Sequence, residues 1–300
     1  YIEDYGMGGY MTTCTGLISH NSIIEQDTII IVNSQHNGDT RAIMSNQSII
    51  RGNYLDINDS NCGWSKLGRA IESYGSELNK SLIEDNTIIT GSCTYGVIST
   101  YSDVLNNTIS GSGEKGIIVG KTYYQSAPNG FNDVGGESII VGNNISGQDL
   151  GVDVFGAFEI LNNTISSTTH TSINIVGDSE SPLSSIKYNM LESSSGIAIR
   201  LEEPAEIEVI NNTILGTTSS DYAIHASNQA NPIIQNNIID GFLNGIYHEH
   251  DFFENFSVTH NNLWNISNSL FSGSAMPPLI GDMISQNQNG NISDIYYNIS

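Results

Sequence analysis

The stretch Leu161-Asn162-Asn163-Thr164-Ile165-Ser166 decides the fold, because the chain repeats nearly the same six residues many times. Close copies begin at Leu105, Ile210 and Gln235, and shorter ones begin at Gly142 and His260. The final Asn of the phrase stands at positions 21, 53, 86, 107, 144, 163, 189, 212, 237 and 262. A phrase that recurs at a roughly constant spacing indicates one supersecondary unit stacked on itself.

A second pattern alternates with the Asn phrase: a small residue, then Ile or Val, then a variable residue. Its copies begin at Gly9, Ala42, Ala70, Gly96, Gly116, Gly151, Ser172, Gly196, Ala223 and Gly245. A third apolar segment lies between the two patterns, for example Ile207-Glu208-Val209-Ile210. Each repeat thus holds three short strands in about 19 to 26 residues plus insertions, without helical periodicity. Ten or more such three-strand coils predict an all-β solenoid, the parallel β-helix.

Side-chain alternation along the small-Ile strand sends Ile and Val inward and the residue after them outward. The first outward row is predicted as Met44, Glu72, Ile98, Ile118, Asp153, Asn174, Ala198, His225 and Tyr247. The second is predicted as Asn46, Tyr74, Thr100, Gly120, Phe155, Val176, Arg200, Ser227 and Glu249.

The recurrent Asn fits the sharp corner of each coil. Asn tolerates the left-handed backbone that a corner requires, and its amide can bond the Asn of the next coil as a ladder. Triplets such as Asn106-Asn107-Thr108 and Asn162-Asn163-Thr164 are also acceptor sequences for N-glycosylation. We favour the ladder, since a sugar at every corner would block the stacking of coils.

Composition limits the partners of the chain. Nine Lys and Arg against 32 Asp and Glu give a formal net charge of -23. A field of this sign repels nucleic acid and anionic membranes, and it favours solubility and divalent cations. No stretch has the length of a transmembrane helix. We therefore predict neither a nucleic-acid partner nor membrane insertion.

The three cysteines, Cys14, Cys62 and Cys93, have no metal-ligand spacing. A disulfide between two stacked coils is one alternative, and a free buried thiol is the state that we favour for each. The chain starts without an initiator Met or a signal peptide, so we expect a segment of a longer protein. An extracellular or cell-surface location is predicted from composition and fold type.

The end of the chain adds Asn262-Leu263-Trp264-Asn265 and Asn289-Gly290-Asn291-Ile292-Ser293-Asp294 to the alternating phrases. Together these segments resemble secreted right-handed parallel β-helix proteins of the pectate-lyase-like superfamily. The resemblance implies a right-handed helix, a single domain over residues 1–300, an irregular region over 265–300, and a C-terminal continuation. It covers nearly the whole chain but does not imply one activity, because members include lyases, epimerases, adhesins and structural proteins.

Polar and aromatic residues of the outward rows are the candidate substrate-binding set: Asp153, Asn174, Arg200, His225 and Tyr247. They would form a shallow track suited to a glycan chain. Asp153, Arg200 and His225 are the catalytic candidates, although no known catalytic motif surrounds them. The alternative is a solvated sheet face, or a contact surface where Ile98, Ile118 and Val176 interrupt the track.

Insertions run over about 56–67, 120–137, 177–184, 201–205 and 249–256. Most follow the small-Ile strand, so we expect acidic and aromatic loops along one edge of that sheet. Carboxylates on such loops suit Ca²⁺, and the candidate ligands are Asp133, Glu137, Asp56 and Asn58. His248 and His250 are a weaker transition-metal pair, because His248 is expected to point inward.

These observations favour a non-catalytic module of the cell surface or extracellular matrix, structural or adhesive, that binds glycan and Ca²⁺. The first alternative is a polysaccharide lyase or glycoside hydrolase acting along the exposed small-Ile sheet. Lyases of this fold class use Ca²⁺ with a Lys or Arg base on a uronate, but a body of net charge -23 repels a polyuronate. The second alternative is a filament subunit that self-associates through its coil ends.

Overall fold

The computed structural model describes residues 14–32, 40–58, 68–120, 138–176, 184–202, 206–217, 219–227, 230–249, 257–273 and 292–293. Regular structure in these ranges consists of short β-strands, without a helix. The same ranges accordingly hold no helix with the length and hydropathy of a membrane span. The chain divides into two compact units, Tyr1–Phe158 (unit 1) and Glu159–Ser300 (unit 2).

Unit 1 contains the strands β1 (Cys14–His20), β2 (Ile23–Glu25), β3 (Thr28–Val32), β4 (Thr40–Asn46), β5 (Ile49–Arg51), β6 (Tyr54–Asn58), β7 (Gly68–Tyr74), β8 (Ser81–Glu84), β9 (Thr87–Thr90), β10 (Thr94–Thr100), β11 (Ser102–Leu105), β12 (Thr108–Gly111), β13 (Lys115–Val119), β14 (Ser138–Val141), β15 (Asn144–Ser146) and β16 (Leu150–Phe155). Every third strand pairs in parallel. Sheet A has the order β1-β4-β7-β10-β13-β16, sheet B has β2-β5-β8-β11-β14, and sheet C has β3-β6-β9-β12-β15.

Unit 2 contains β17 (Phe158–Leu161, at the boundary), β18 (Thr164–Thr168), β19 (Thr171–Val176), β20 (Ser184–Lys187), β21 (Met190–Ser193), β22 (Gly196–Glu202), β23 (Glu206–Ile210), β24 (Thr213–Leu215), β25 (Ser220–Ala226), β26 (Asn231–Gln235), β27 (Ile238–Asp240), β28 (Asn244–His248), β29 (Ser257–Thr259), β30 (Asn262–Trp264), β31 (Ser269–Gly273) and β32 (Ile292–Ser293). Its strands follow the same rule: β19-β22-β25-β28-β31 in sheet A, β17-β20-β23-β26-β29 in sheet B, and β18-β21-β24-β27-β30-β32 in sheet C.

Three parallel sheets wound in this order make each unit a right-handed parallel β-helix, which confirms the predicted fold class. The predicted number of ten or more coils is slightly too high. Among the described residues, unit 1 has five complete three-strand coils and unit 2 has four. The single-domain prediction stays a prediction. Within the region predicted as irregular, 265–300, β31 and β32 are regular strands.

Stacked aliphatic rows fill the interior of each unit, as the alternation predicts. In unit 1 the sheet A row consists of Ile43, Ile71, Val97, Ile117 and Val152, all with 0% exposure. Burying one such side chain stabilises the fold by roughly 1.5 to 3 kcal/mol. The repetition of this row coil after coil is the main source of stability.

The small residue before each inward Ile has a steric reason. A Cβ added to Gly96 would lie 2.5 Å from Gly116 O and 2.9 Å from Ile109 Cγ2. The residues at this position, such as Ala42 in β4 and Ala70 in β7, are fully buried within their sheet A strands. A larger side chain there would collide with the sheet C strand of its own coil.

The predicted Asn ladder exists. The sequence assigns both the ladder bond and the left-handed corner to one Asn, whereas in the structure two successive residues share these roles. Its nine members are all at most 2% exposed: Asn53, Asn86, Asn107, Asn143, Asn163, Asn189, Asn212, Asn237 and Asn261. Within each unit, Nδ2 of one donates to Oδ1 of the next, as in Asn86 to Asn107 at 2.9 Å. The left-handed residue is the one before, as at Asn106 with φ 53°.

This division corrects the predicted ladder at three positions. At 144 and 262 the buried amide belongs instead to Asn143 and Asn261. There Gly142 (φ 68°) and His260 (φ 57°) form the left-handed corner. The ladder residue therefore lies one position closer to the N-terminus than predicted. Asn21 lies at the corner between β1 and β2, which is not the ladder corner. In the first coil Asp27 stands at the ladder position, and its backbone N–H donates to Asn53 Oδ1 at 2.9 Å.

Cys93 is disulfide-bonded and only 2% exposed. The preference for a free thiol is therefore wrong for this residue, and the disulfide alternative is right. The error arises because the spacing of cysteines along the sequence does not show which thiols come together in the fold.

Candidate functional site

The outer face of sheet A in unit 2 holds four of the five predicted substrate-binding residues in one row. Strand register pairs Asn174 with Arg200, Arg200 with His225, and His225 with Tyr247. Neighbouring parallel strands lie about 4.8 Å apart, so the row spans about 14 Å. This length matches a few sugar rings of an extended chain.

Arg200 lies in the first outward row, whereas the sequence places it in the second. Both Gly196-Ile197 and Ala198-Ile199 satisfy the small-Ile pattern, so the pattern alone cannot fix the register of β22. The structure pairs Ile199 with the inward Ile173 and Ile224, and Ala198 is fully buried. The register correction brings the guanidinium beside His225.

Three aromatic rings contact one another on this face. Tyr222 lies 5.2 Å from His225 and 5.5 Å from Tyr247, measured between ring centroids. The His225 and Tyr247 rings are 4.9 Å apart with an interplanar angle of 30°. All three side chains are half-buried. We call Tyr222, His225 and Tyr247, together with Arg200, the aromatic face.

Tyr222 is a member of this face that sequence reasoning did not select. It precedes the small residue Ala223, where strict alternation is interrupted and two successive residues, Ala223 and Ile224, are both fully buried. The residue before the interruption therefore points outward like the residue after it. The small residue recurs in every repeat, so the position before it could have been predicted to face outward, and this would have selected Tyr222.

The electrostatics of the aromatic face favour a neutral imidazole. Partial burial, followed by the nearby Arg200 guanidinium, lowers the pKa of His225 below its ordinary value of 6.5, against the opposing influence of Glu249 and Glu202. His225 Nδ1 is buried and has no hydrogen-bond partner within the described ranges. A neutral His beside two tyrosines offers apolar ring surface with polar edges.

Arg200 is held in place by a carboxylate of its own strand. Its Nη2 lies 2.5 Å from Glu202 Oε1, and the two side chains are 40% and 31% exposed. A surface pair of this kind adds little stability. It does fix a planar donor group at the border of the rings, where a ligand oxygen can reach it.

Asp153, the fifth predicted residue, belongs to sheet A of unit 1. Its carboxylate is 3% exposed and lies 2.5 Å from Lys115 Nζ. Asp153 therefore has its own cationic partner, and its buried carboxylate does not face solvent as a ligand group would.

A buried ionic cluster on the outer face of sheet A in unit 1 was not predicted. The Glu72 carboxylate accepts hydrogen bonds from Arg41, Arg69 and the Tyr74 hydroxyl. Burial raises the pKa of Glu72, but Arg69, Tyr74 and Arg41 together bring it below its ordinary value. Burial and the adjacent carboxylate raise the pKa of Tyr74. We call these four residues the Glu72 cluster.

The predicted metal ligands are scattered or fall outside the described residues. Asp56 and Asn58 lie on β6 rather than in a loop, whereas Asp133, Glu137 and His250 are outside the described ranges. His248 is 1% exposed and its Nε2 lies 2.9 Å from Ala230 O, so it points inward. Where the chain is described, no three His, Cys, Asp or Glu side chains converge on a metal position. Calcium binding stays a prediction.

Comparison with known proteins supports the fold. No family model and no curated protein sequence matches the chain. Among solved structures it is similar to the crystal structure of the periplasmic alginate epimerase AlgG, with 10% identity, a TM-score of 0.51, and coverage of 83% of this chain and 73% of that chain. A mutant of the same epimerase aligns with 11% identity and a TM-score of 0.39. At such identity the likeness shows the β-helix fold alone.

Proposed function

We propose that this protein is an extracellular or cell-surface β-helical module that binds a glycan chain on the aromatic face of unit 2. The observation that supports this proposal most strongly is the contact among Tyr222, His225 and Tyr247 on a solvent-facing sheet. Aromatic rings offer the apolar C–H faces of sugars a rigid surface, and their polar edges bond hydroxyl groups. A regular parallel sheet extends this surface along one direction, as an extended polysaccharide requires.

Charge favours a neutral glycan over a polyanion. The single guanidinium of the aromatic face is paired with Glu202, and Glu249 lies nearby on the exposed edge. The whole chain has a formal charge of -23. Both the local and the global field therefore oppose a polyuronate at low ionic strength.

The extracellular location is supported by the disulfide at Cys93, because disulfides persist in oxidising compartments. The structurally similar AlgG is described as periplasmic, which agrees with a protein of the cell envelope or beyond.

A second candidate function is polysaccharide modification through proton abstraction. It is favoured by the lowered pKa of His225, which leaves a neutral base next to the Arg200 cation at neutral pH. The fold likeness to an enzyme described as an alginate epimerase points in the same direction. Against it, the Glu202 carboxylate beside this row is already paired with Arg200, the cation that such a reaction would use.

One experiment separates the two candidates. The protein is titrated calorimetrically with neutral and acidic polysaccharides, and the same mixtures are assayed for unsaturated uronate, reducing ends and uronate epimers. We expect binding to a neutral polysaccharide, weakened at least about tenfold by Tyr247→Ala. Tyr188→Ala is the matched control, because Tyr188 is 57% exposed and lies at the corner between sheets B and C.

If the wild-type protein converts a polysaccharide and the His225→Ala and Arg200→Ala variants do not, the function is catalysis rather than binding. Binding that survives Tyr247→Ala, or falls equally in Tyr188→Ala, would contradict the proposed site.

A further inference from the structure

At each corner between sheets B and C, the ladder Asn is buried and the residue before it is not. Each ladder Asn is followed two residues later by a fully buried Ile or Leu of sheet C, as in Asn107-Thr108-Ile109. For this reason none of the nine ladder asparagines begins an Asn-x-Ser/Thr triplet. A ladder amide is therefore never an acceptor for N-glycosylation.

The residue before the ladder Asn has the opposite environment. Four of these corner residues are asparagines, and three of them begin an Asn-x-Thr triplet: Asn106, Asn162 and Asn211, with φ values of 53°, 54° and 59°. The fourth, Asn236, is followed by Asn237-Ile238 and begins no acceptor triplet. Asn106 and Asn162 are exposed and Asn211 is half-exposed. None of the three side-chain amides makes a hydrogen bond to a described residue, in contrast to Asn265, whose Nδ2 donates to Asp240 Oδ1 at 2.7 Å.

The hydroxyl of each triplet lies on the same outer side. Thr108, Thr164 and Thr213 stand at the first outward position of their sheet C strands, and none of them is buried. Period-two alternation explains this arrangement: the ladder Asn points in, the Thr points out and the Ile points in. The fold thus exposes the acceptor and the hydroxyl of the same triplet together.

From this geometry we propose that Asn106, Asn162 and Asn211 are N-glycosylation sites of the protein. The group transferred is an oligosaccharide from a lipid diphosphate donor. The Asn Nδ2 forms a bond to the anomeric carbon of the first sugar, while the bond from that carbon to the diphosphate breaks. The lipid diphosphate leaves with the electron pair, and the amide loses one proton to solvent.

The stacked coils leave room for these glycans. In unit 2, Asn162 and Asn211 are separated by the corner of Tyr188, so they lie two strand spacings, about 10 Å, apart. In unit 1, the corner after Asn106 is Gly142, which has no side chain, and an added Cβ there would lie 2.4 Å from Asn106 Oδ1. The Asn106 side chain therefore has its space because the next corner is a glycine. The three sites do not occupy successive corners, and the ladder remains buried beneath them.

The test is secretion of the full chain by cultured mammalian cells behind a cleavable signal peptide. Peptides from secreted and cell-retained protein are mapped by mass after treatment with peptide N-glycosidase, which converts each glycosylated Asn to Asp. We expect conversion at all three positions, and its loss at one position in each of the variants Thr108→Ala, Thr164→Ala and Thr213→Ala. Thr→Ser variants at the same positions should keep the glycan.

Thr87→Ala is the matched control, because Asp85-Asn86-Thr87 has the same corner geometry with Asp in place of the acceptor. It should leave the occupancy of the three sites unchanged. Unmodified Asn106, Asn162 and Asn211 in translocated chains would overturn the proposal, and so would glycans confined to other triplets such as Asn79-Lys80-Ser81. Because occupancy is measured on peptides, a variant that folds poorly still gives a result.

Discussion

The outer faces of sheet A in the two units have the same backbone but opposite chemistry. In unit 1 the charged groups bond one another: Glu72 is 4% exposed within its cluster, and Asp153 is 2% exposed beside Lys115. In unit 2 the equivalent row is half-exposed, and its rings contact one another while His225 Nδ1 stays without a partner in the described residues. The contrast shows that the repeat determines the direction in which a side chain points. The side chains of neighbouring coils determine whether that residue stabilises the fold or is available to bind a ligand.

The largest expected effect is the loss of the carboxylate in the Glu72 cluster. Glu72→Gln leaves two buried guanidiniums without their shared anion, which should reduce the free energy of unfolding by about 3–5 kcal/mol. Denaturant unfolding monitored by circular dichroism measures it. In unit 2, Glu202→Gln removes the exposed partner of Arg200 and should change stability by less than about 1 kcal/mol. Equal losses in the two variants would abolish the distinction between the two faces.

The disulfide should stabilise unit 1 alone, because all three cysteines lie in residues 1–158. Cys62 lies outside the described residues, so the test uses Cys93 itself. We expect Cys93→Ser, which removes the disulfide, to cost about 2–4 kcal/mol. Hydrogen exchange with and without reductant measures this effect. Faster exchange in unit 2 after reduction would be evidence against it.

Ladder substitutions should affect the two units equally, which makes them the reference for the other variants. Asn107→Ala and Asn212→Ala each leave two donors of the preceding Asn unpaired, so we expect losses of about 2–4 kcal/mol in both. Local hydrogen exchange at the flanking strands gives the measurement. Asn106→Gly is the matched neighbour, and it should be nearly neutral because Asn106 is exposed and left-handed. Unequal ladder losses would mean that the interiors of the units differ as well.

Acid should weaken the two units in different pH windows. The pKa of His225 is lowered from 6.5 by burial and Arg200, so its stabilising effect is complete above 6.5 and is lost as the pH falls below that value. The pKa of Glu72 is lowered from 4.5, so its effect is lost only as the pH falls below 4.5. The His225 effect should be small, because the ring is half-exposed. The melting temperature of His225→Asn is measured against pH. If this variant still loses stability as the pH falls below 6.5, protonation of His225 is not the cause.

Much of the fold could be predicted because it depends on local repetition. Alternation assigns the inward Ile rows, and the Asn phrase marks the corners. The errors occur where two registers satisfy one pattern, as at Gly196-Ile197 and Ala198-Ile199, or at Asn143 and Asn144. Hydrogen bonding and burial between coils decide these cases, and a single repeat does not contain that information.

The candidate site was predictable in part for a related reason. Asn174, Arg200, His225 and Tyr247 were found from outward positions, but Tyr222 required the interruption of alternation at Ala223. The Glu72 cluster was missed because Arg41 and Arg69 stand before the same interruption, at Ala42 and Ala70. Sequence shows which residues face outward, but partner choice among outward charges depends on neighbouring coils.

The most direct test of the account is the affinity of a neutral polysaccharide for the wild-type protein and for Tyr247→Ala and Tyr188→Ala, measured by calorimetry at one salt concentration. We expect saturable binding to the wild type, the same affinity in Tyr188→Ala, and at least about a tenfold loss in Tyr247→Ala. Wild-type affinity in Tyr247→Ala would contradict glycan binding at the aromatic face.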